Sequence, residues 1–182
     1  MPHPLLSGQS FFHFATKRRP NMNRNCGLVC ALLLLVAAAT YAEVVQINNC
    51  PYPDLPADTP SNCTVHELRV DPCREAAEGK PCKLKRGQPA NISFDYTADF
   101  SGDRLETRAY WASEVVDLPF LGMNTDACAG TECPAAPGVK RTYSMQIPIS
   151  KKFPIRSYNL KWKMWNDQQQ ECCFMFQIKL QK

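Results

Sequence analysis

The sequence predicts an all-β protein: an immunoglobulin-like sandwich of two antiparallel sheets, stapled by disulfides. Three observations predict it. Apolar and polar residues alternate with a period of two along most of the chain. Gly, Pro, Asn and Asp clusters separate these stretches at short intervals. An even number of cysteines remains once a leader segment is removed.

The leader comes first. The chain has 182 residues, room for one ordinary domain. Lys17, Arg18, Arg19 and Arg24 precede the uncharged run Cys26 to Ala39, and Thr40-Tyr41-Ala42 offers small residues flanking a cut after Ala42. That is the basic, apolar and small-residue order of a secretory signal peptide over 1–42. The apolar run is shorter than the roughly 20 residues a membrane-spanning helix needs. Met22 to Ala42 is already a complete leader, so translation from Met22 is expected, with 1–21 upstream of the true start and Glu43 as the first mature residue.

Charge and cysteine use agree with export. All 17 acidic residues lie from Glu43 onward, while four of the 21 basic ones leave with the leader, so 17 face 17 and the mature domain is formally neutral. The formal +4 belongs to the leader, and a nucleic-acid partner, which would need a basic excess, is not expected. Cys26 and Cys30 also leave; Cys50, Cys63, Cys73, Cys82, Cys128, Cys133, Cys172 and Cys173 remain. Eight cysteines in an exported chain read as a disulfide framework, and spacing alone allows 105 pairings. Paired Cys-x2-Cys knuckles are missing and His66 is the one mature histidine, so neither a metal nor a cofactor is expected. Asn62-Cys63-Thr64 and Asn91-Ile92-Ser93 are sequons, which predicts glycosylation at Asn62 and Asn91.

The strands follow in order. Val44–Ile47 is read as a short first strand, and Val65–Val70, holding His66, as the next. Ile92, Phe94, Tyr96, Ala98 and Phe100 alternate with polar neighbours, as do Leu105, Thr107, Ala109 and Trp111. Tyr143, Met145, Ile147 and Ile149 share a face, then Tyr158, Leu160, Trp162 and Met164, then Phe174, Phe176, Ile178 and Leu180. One greasy and one wet face per segment is what a two-layer antiparallel sandwich requires. Prolines 51, 53, 56 and 60, Asp71-Pro72, Gly79, Gly87, Ser101-Gly102-Asp103, the stretch 134–138 and Asn166-Asp167 supply the turns. The Cys-Trp-Cys spacing of antibody domains is missing, so the bridges must sit differently. The loops 50–62 and 117–139 carry the weakest pattern.

An ordered set of motifs carries a family resemblance. It comprises Val45-Gln46-Ile47-Asn48-Asn49-Cys50, Val70-Asp71-Pro72-Cys73, Pro81-Cys82 through Gln88, and Asn91-Ile92-Ser93-Phe94. Cys128 to Pro134, Thr142-Tyr143-Ser144, Ile147-Pro148-Ile149, Phe153-Pro154 and Cys173 complete it. Over 43–182 the chain resembles the ML-domain (MD-2-related lipid-recognition) family, and most of all its Niemann-Pick type C secreted cholesterol-transfer branch. The resemblance implies an apolar cavity between the sheets and the bridges Cys50–Cys173, Cys73–Cys82 and Cys128–Cys133. Cys63 and Cys172 have no counterpart there; a fourth bridge between them is expected, the alternative being two buried thiols. Cys172 is in phase with Phe174 and Phe176, and Cys173 with the opposite face.

The resemblance further implies a secreted, extracellular or lysosomal carrier that holds a sterol or other apolar lipid between its sheets and passes it between membranes or partners. The residues matching the family's mouth are Phe120, Ile149 and Phe153; Leu118, Leu121 and Met123 make the adjoining loop greasy, and Phe94, Tyr96, Trp111 and Trp162 are placed to line the interior. Aromatics on alternate strand positions fit a filled core equally well. Transient membrane or receptor contact and a monomeric state are expected. An innate-immune lipid or lipopolysaccharide recognition module is the alternative, for which Lys140, Arg141, Lys151 and Lys152 would supply charge. An adhesive domain with a solid core is the third. An enzyme is not expected: no Gly-x-Ser-x-Gly elbow occurs, and Asp95 and Asp99 share a wet strand face, where carboxylates are ordinary.

Overall fold

In a computed structural model, residues 43–51 and 62–182 are described; the expected leader 1–42, the expected start at Met22 and the proline-rich stretch 52–61 lie outside them. Within the unit Tyr41–Lys182 the described strands form two sheets. Sheet A has the order β1 (Glu43–Val45), β3 (Cys63–Asp71), β5 (Pro89–Ala98), β8 (Lys140–Pro148). Sheet B has the order β2 (Asn48–Asn49), β10 (Glu171–Gln181), β9 (Ser157–Asn166), β6 (Leu105–Ala112), β7 (Leu118–Pro119), with β4 (Cys82–Lys85) also on β10. Two short 3-10 turns, Arg74–Glu78 and Ala127–Ala129, are the helical elements among these residues.

The long strands lie where alternation placed them, and three differences have physical causes. The expected first strand divides: β1 pairs with β3 in one sheet, and β2 pairs with β10 in the other. The chain crosses between layers at Gln46-Ile47: Val45 is paired and buried in sheet A, whereas Asn48 and Asn49 pair with β10 and Cys50 is bonded to Cys173 there. The basic stretch at 82–85 is a strand: Cys82 and Leu84 are buried while Lys83 and Lys85 are exposed. Its pairing with β10 is parallel, since the chain reaches sheet B from β3 by a crossover rather than a hairpin. In β3 the register shifts at His66, whose Nε2 meets Thr97 Oγ1 at 2.8 Å.

The core is the two inner faces pressed together. Sheet A contributes Leu68, Val70, Ile92, Phe94, Tyr96, Tyr143 and Ile147; sheet B contributes Leu105, Ala109, Leu160, Trp162, Met164, Phe174, Phe176 and Ile178. One polar side chain is fully enclosed with them. Thr107 Oγ1 accepts the Trp162 indole N–H at 2.9 Å and donates to the Lys163 carbonyl at 3.0 Å, which satisfies a buried donor that apolar neighbours could not. At the β9–β10 turn, the Asn166 carboxamide accepts from the Gln168 and Gln170 amides and donates to the Ser101 carbonyl, fixing the hairpin to the β5–β6 connection.

Four disulfides are present. Cys50–Cys173 and Cys63–Cys172 join sequence positions 123 and 109 apart, while Cys73–Cys82 and Cys128–Cys133 close local loops. Because Cys172 and Cys173 are neighbours, the first two bridges together close a covalent ring of residues 50–63 with 172–173. Given either bridge, the other therefore constrains a loop of only about 15 residues. Its added stabilisation is about 3 kcal/mol rather than the roughly 4–5 of an isolated 100-residue loop.

The outer face of sheet A carries an ion cluster. Asp95 accepts from Arg69 Nη2 at 2.7 Å and Thr142 Oγ1 at 2.8 Å, with Lys140 Nζ at 3.3 Å, and Arg69 also holds Glu67 at 2.6 Å. The Arg69 hydrogen bond, foremost, holds the Asp95 carboxyl far below the usual carboxylate range against the opposing effect of burial. Folded Asp95 thus stays ionised where the unfolded chain binds a proton. Its stabilisation is complete above about pH 4, the ordinary Asp value, and fades as pH falls further. Melting curves from pH 7 to pH 2 should show a wild-type fall confined to the acid end; Asp95→Asn should melt lower at neutral pH and lose less on acidification. Thr107→Val keeps the shape but strands the Trp162 donor, and denaturant titration should show a loss of about 2–3 kcal/mol.

Candidate functional site

One end of the sandwich is covered by side chains from loops rather than closed by strands. Trp111, near the end of β6, projects from the inner face, since it pairs with the fully buried Leu160. Its ring lies 5.1 Å from Phe120, 5.1 Å from Phe153 and 4.5 Å from Tyr158, and Phe120 and Phe153 are 5.4 Å apart. Phe120 follows β7 and is held by its amide to the Ala109 carbonyl at 2.8 Å. Phe153 lies between β8 and β9, and Ile149, beside it at the end of β8, is buried. Phe120, Phe153 and Trp111, three of the expected site residues, thus meet at one rim, joined by Tyr158, while Ile149 is buried just past the end of β8.

The other expected lining residues divide. Phe94, Tyr96 and Trp162 form a deeper ring group with Tyr143 and Phe174; Phe94 stands 4.9 Å from Phe174, 5.0 Å from Tyr143 and 6.1 Å from Trp162. These rings are fully buried and touch across the two sheets, so the space expected between the layers is closed here by the protein's own side chains. Leu118, expected to make the adjoining loop greasy, pairs with Trp111 on the edge strand β7, and 58 % of its surface is exposed. Along β9, Tyr158 at the rim and Trp162 in the deep group are four residues apart, about 14 Å.

A basic hinge supports the rim. Arg86 Nη1 donates to the carbonyls of Lys151 at 2.9 Å and Phe153 at 2.8 Å, so the turn after β4 holds the Phe153 loop. Gly87 is needed beside it: its φ is +80°, and a Cβ there would stand 2.6 Å from the Lys151 side chain. The Gly87 amide donates to the Ile149 carbonyl at 2.5 Å, tying the same turn to the other side of the loop. Arg156 lies 4.7 Å over the Tyr158 ring, and the Tyr158 hydroxyl donates to the Pro154 carbonyl at 2.9 Å. The pattern of the sequence could have flagged Tyr158, which continues the greasy face of β9; nothing in it marked Arg86 apart from the surrounding charges.

The rim's surface is apolar and basic together. Val115, Val116, Leu118, Leu121 and Ile155 are exposed there, with Lys151, Lys152 and Arg156 among them. The stretches 79–94, 140–163 and 172–182, which supply this end with Lys85, Lys179 and Lys182, contain no acidic residue. Glu114 is the acidic exception in the adjoining loop, and Asp117 is paired with Lys161 at 2.5 Å. Lys140 and Arg141, expected at the mouth, are at the opposite end of β8: Lys140 pairs in register with Thr97 and faces Asp95, and Arg141 holds Glu132. The hydrogen-bonded Asp95, held ionised by Arg69, is not placed as a proton donor beside Asp99. An open surface depression of about 790 Å³ among the described residues is lined by Asp103, Arg104, Arg108, Asp126 and Asp167, away from the rim.

Comparison with known proteins agrees with this architecture. The family profile described as ML domain matches residues 44–180. The chain is similar to an MD-2-related lipid-recognition protein of Manduca sexta, 39 % identical over 123 residues, 66 % of this chain and 78 % of that protein. It is also similar to an ecdysteroid-regulated 16 kDa protein of the same species, 27 % identical over 64 % of this chain and 81 % of that one. Among solved structures, a Niemann-Pick type C2 protein from the Japanese carpenter ant superposes with a TM-score of 0.63 at 18 % identity, covering 75 % of this chain and 99 % of the other.

Replacing Arg86 by Met removes both bonds to the Phe153 loop at a cost of about 1–2 kcal/mol, because the freed carbonyls reach water. Limited proteolysis should then cut first within 150–156, and the Trp111 emission should shift to the red.

Proposed function

The chain belongs to the ML-domain family of lipid-recognition proteins, and from that premise we propose that it is a secreted, non-enzymatic, monomeric carrier of a sterol or related apolar lipid. The observation that carries this reading is the rim of Trp111, Phe120, Phe153 and Tyr158, where loop-borne rings cover the end of an aromatic interior. Strand-borne rings are fixed by ladders on both sides. Phe120 and Phe153 are fixed by single backbone bonds and the Arg86 contacts, so they can swing while the sheets stay paired.

Loading requires the rim rings to part and the sheets to separate beneath them, with Phe94, Tyr96, Trp111 and Trp162 changing neighbours from one another to the ligand. A sterol burying about 400 Å² of apolar surface supplies on the order of 10 kcal/mol before costs. That is enough to offset the ring contacts it replaces, each about 0.5–1.5 kcal/mol. No covalent step is needed, and a ligand hydroxyl remains at the rim in water. The exposed Val116, Leu118, Leu121 and Ile155 with Lys151 and Lys152 suit brief contact with a membrane or an acidic receptor during transfer. Export through the leader, to the extracellular space or the lysosome, goes with glycans at Asn62 and Asn91, both exposed.

The basic rim also favours a second reading, recognition of acyl chains beneath an anionic headgroup such as that of lipopolysaccharide. A fluorescent sterol, titrated into the secreted protein and competed with lipid A and with fatty acids, separates the two. Sterol binding of micromolar affinity or better, weakened at least about tenfold by Phe120→Ala with Phe153→Ala, supports the carrier. Displacement by acyl lipids alone supports the second reading. Binding of none of them returns the molecule to an adhesive domain with a solid core.

A further inference from the structure

The two sheets are fastened along one lateral edge and free along part of the other. β3 of sheet A lies over β10 and β4 of sheet B, and a disulfide crosses this seam at each end of β3. Cys63, the first residue of β3, is bonded to Cys172 of β10; Cys73, just past the end of β3, is bonded to Cys82 of β4. The remaining two bridges do not cross the seam. Cys50 adjoins β2 and meets Cys173 within sheet B, and Cys128–Cys133 lies inside one connection.

On the opposite edge, the connection from β7 to β8 straps the sheets at the end far from the rim. Thr125 accepts from the Thr107 amide of β6 at 2.9 Å, and Gly130 accepts from the Ser144 amide of β8 at 2.9 Å. A Cβ at Gly130 would stand 2.5 Å from the Ser144 carbonyl, so the strap lies directly on β8. Beyond it, between the Phe120 loop and Ile149, no backbone bond of this kind is present among the described residues, and a Cβ added at Gly122 would stand 3.6 Å from the Pro148 side chain. The layers can therefore part only as a wedge, wide at the aromatic rim and narrowing toward Cys63–Cys172.

We infer that the Cys63–Cys172 bridge is the floor of the lipid site and sets how long a ligand tail the protein accepts. The inference rests on the carrier reading. Both sulfurs point inward, with Cys63 7 % and Cys172 1 % exposed, and the Cα atoms are 5.0 Å apart across the layers. Cys172 is in register with Met164 and Ile178 with Tyr158, so floor and rim are six residues apart on β9, about 20 Å. Ala98, the register partner of Cys63, and Met164 close the same level. With Cys73–Cys82 alone the sheets would be fastened only at the rim end of the seam, and the far end could widen. With both, a tail that has reached Ala98 and Met164 has nowhere further to go.

The test is a chain-length series. Saturated fatty acids from about 12 to about 22 carbons displace a fluorescent fatty acid from the wild type and from Cys63→Ala with Cys172→Ala, each keeping the other three bridges. Affinity should rise about fourfold with each added CH2 that finds a buried place, then stop at a cutoff. In the double variant the cutoff should move at least two carbons longer, and release after dilution should speed up about fivefold or more. Hydrogen exchange without ligand should rise at the Cys63 end of β3 and the Glu171 end of β10 but not at Ile178. Ala98→Val, which raises the floor without touching a bridge, should move the cutoff shorter and keeps the idea testable if the double variant does not fold. An unchanged cutoff in a folded double variant, or in Ala98→Val, overturns the inference while leaving the carrier intact. A wild type that binds neither fatty acid nor sterol overturns both.

Discussion

Everything in this molecule is arranged around the requirement that two greasy sheet faces be kept together by one edge. β3 is the strand on which that requirement falls. It is bonded to sheet B at its start and just past its end, and its partners β5 and β1 extend sheet A to either side. The unpaired long edge of β8 lies over β6 and β7, and there the contact between layers is made by loops and rings. A sandwich held this way is bridged covalently between its layers on one side, and the aromatic rim reaches the other.

Charge is distributed along the same axis. Residues 43–182, formally neutral in sum, are not neutral locally, because Lys85, Arg86, Lys151, Lys152, Arg156, Lys179 and Lys182 gather at the rim end. Asp99, Asp103, Glu106, Asp126 and Asp167 lie toward the end nearer Cys63–Cys172 with Arg104 and Arg108 among them, while Glu75 and Glu78 at the rim end are paired with Lys83 and Lys80.

Alternation was enough to read β5, β6, β8, β9 and β10, since each is long and buries one face only. It was not enough for β4, where four residues of Cys-Lys-Leu-Lys carry too little pattern to stand out from a basic cluster. Inward-facing rings on strands were legible by phase, as Trp111 and Trp162 show. Site residues on loops depended on the resemblance, which placed Phe120, Ile149 and Phe153 at one rim. Phase says which face a residue takes, not whether a partner sheet reaches that far, as the exposed Leu118 on the edge strand shows. Lys140 and Arg141 were misplaced for a related reason: nearness in sequence to the mouth strand does not say at which end of β8 they emerge. Arg86 acts through backbone carbonyls 65 and 67 residues away, a relation no local pattern encodes.

The adjacent cysteines of β10 have a consequence for how the chain matures. Their side chains leave opposite faces of one strand, Cys172 toward the interior with Phe174 and Phe176, Cys173 toward the outer surface. An isomer that exchanged their partners would force β10 to slip by one residue and turn Phe174, Phe176, Ile178 and Leu180 into water. Such a scrambled species would expose a large apolar surface, so thiol exchange would run downhill toward the native linkage without any local preference between the two sulfurs. Burial of the strand's greasy face thus proofreads the oxidation of the two neighbours at its head.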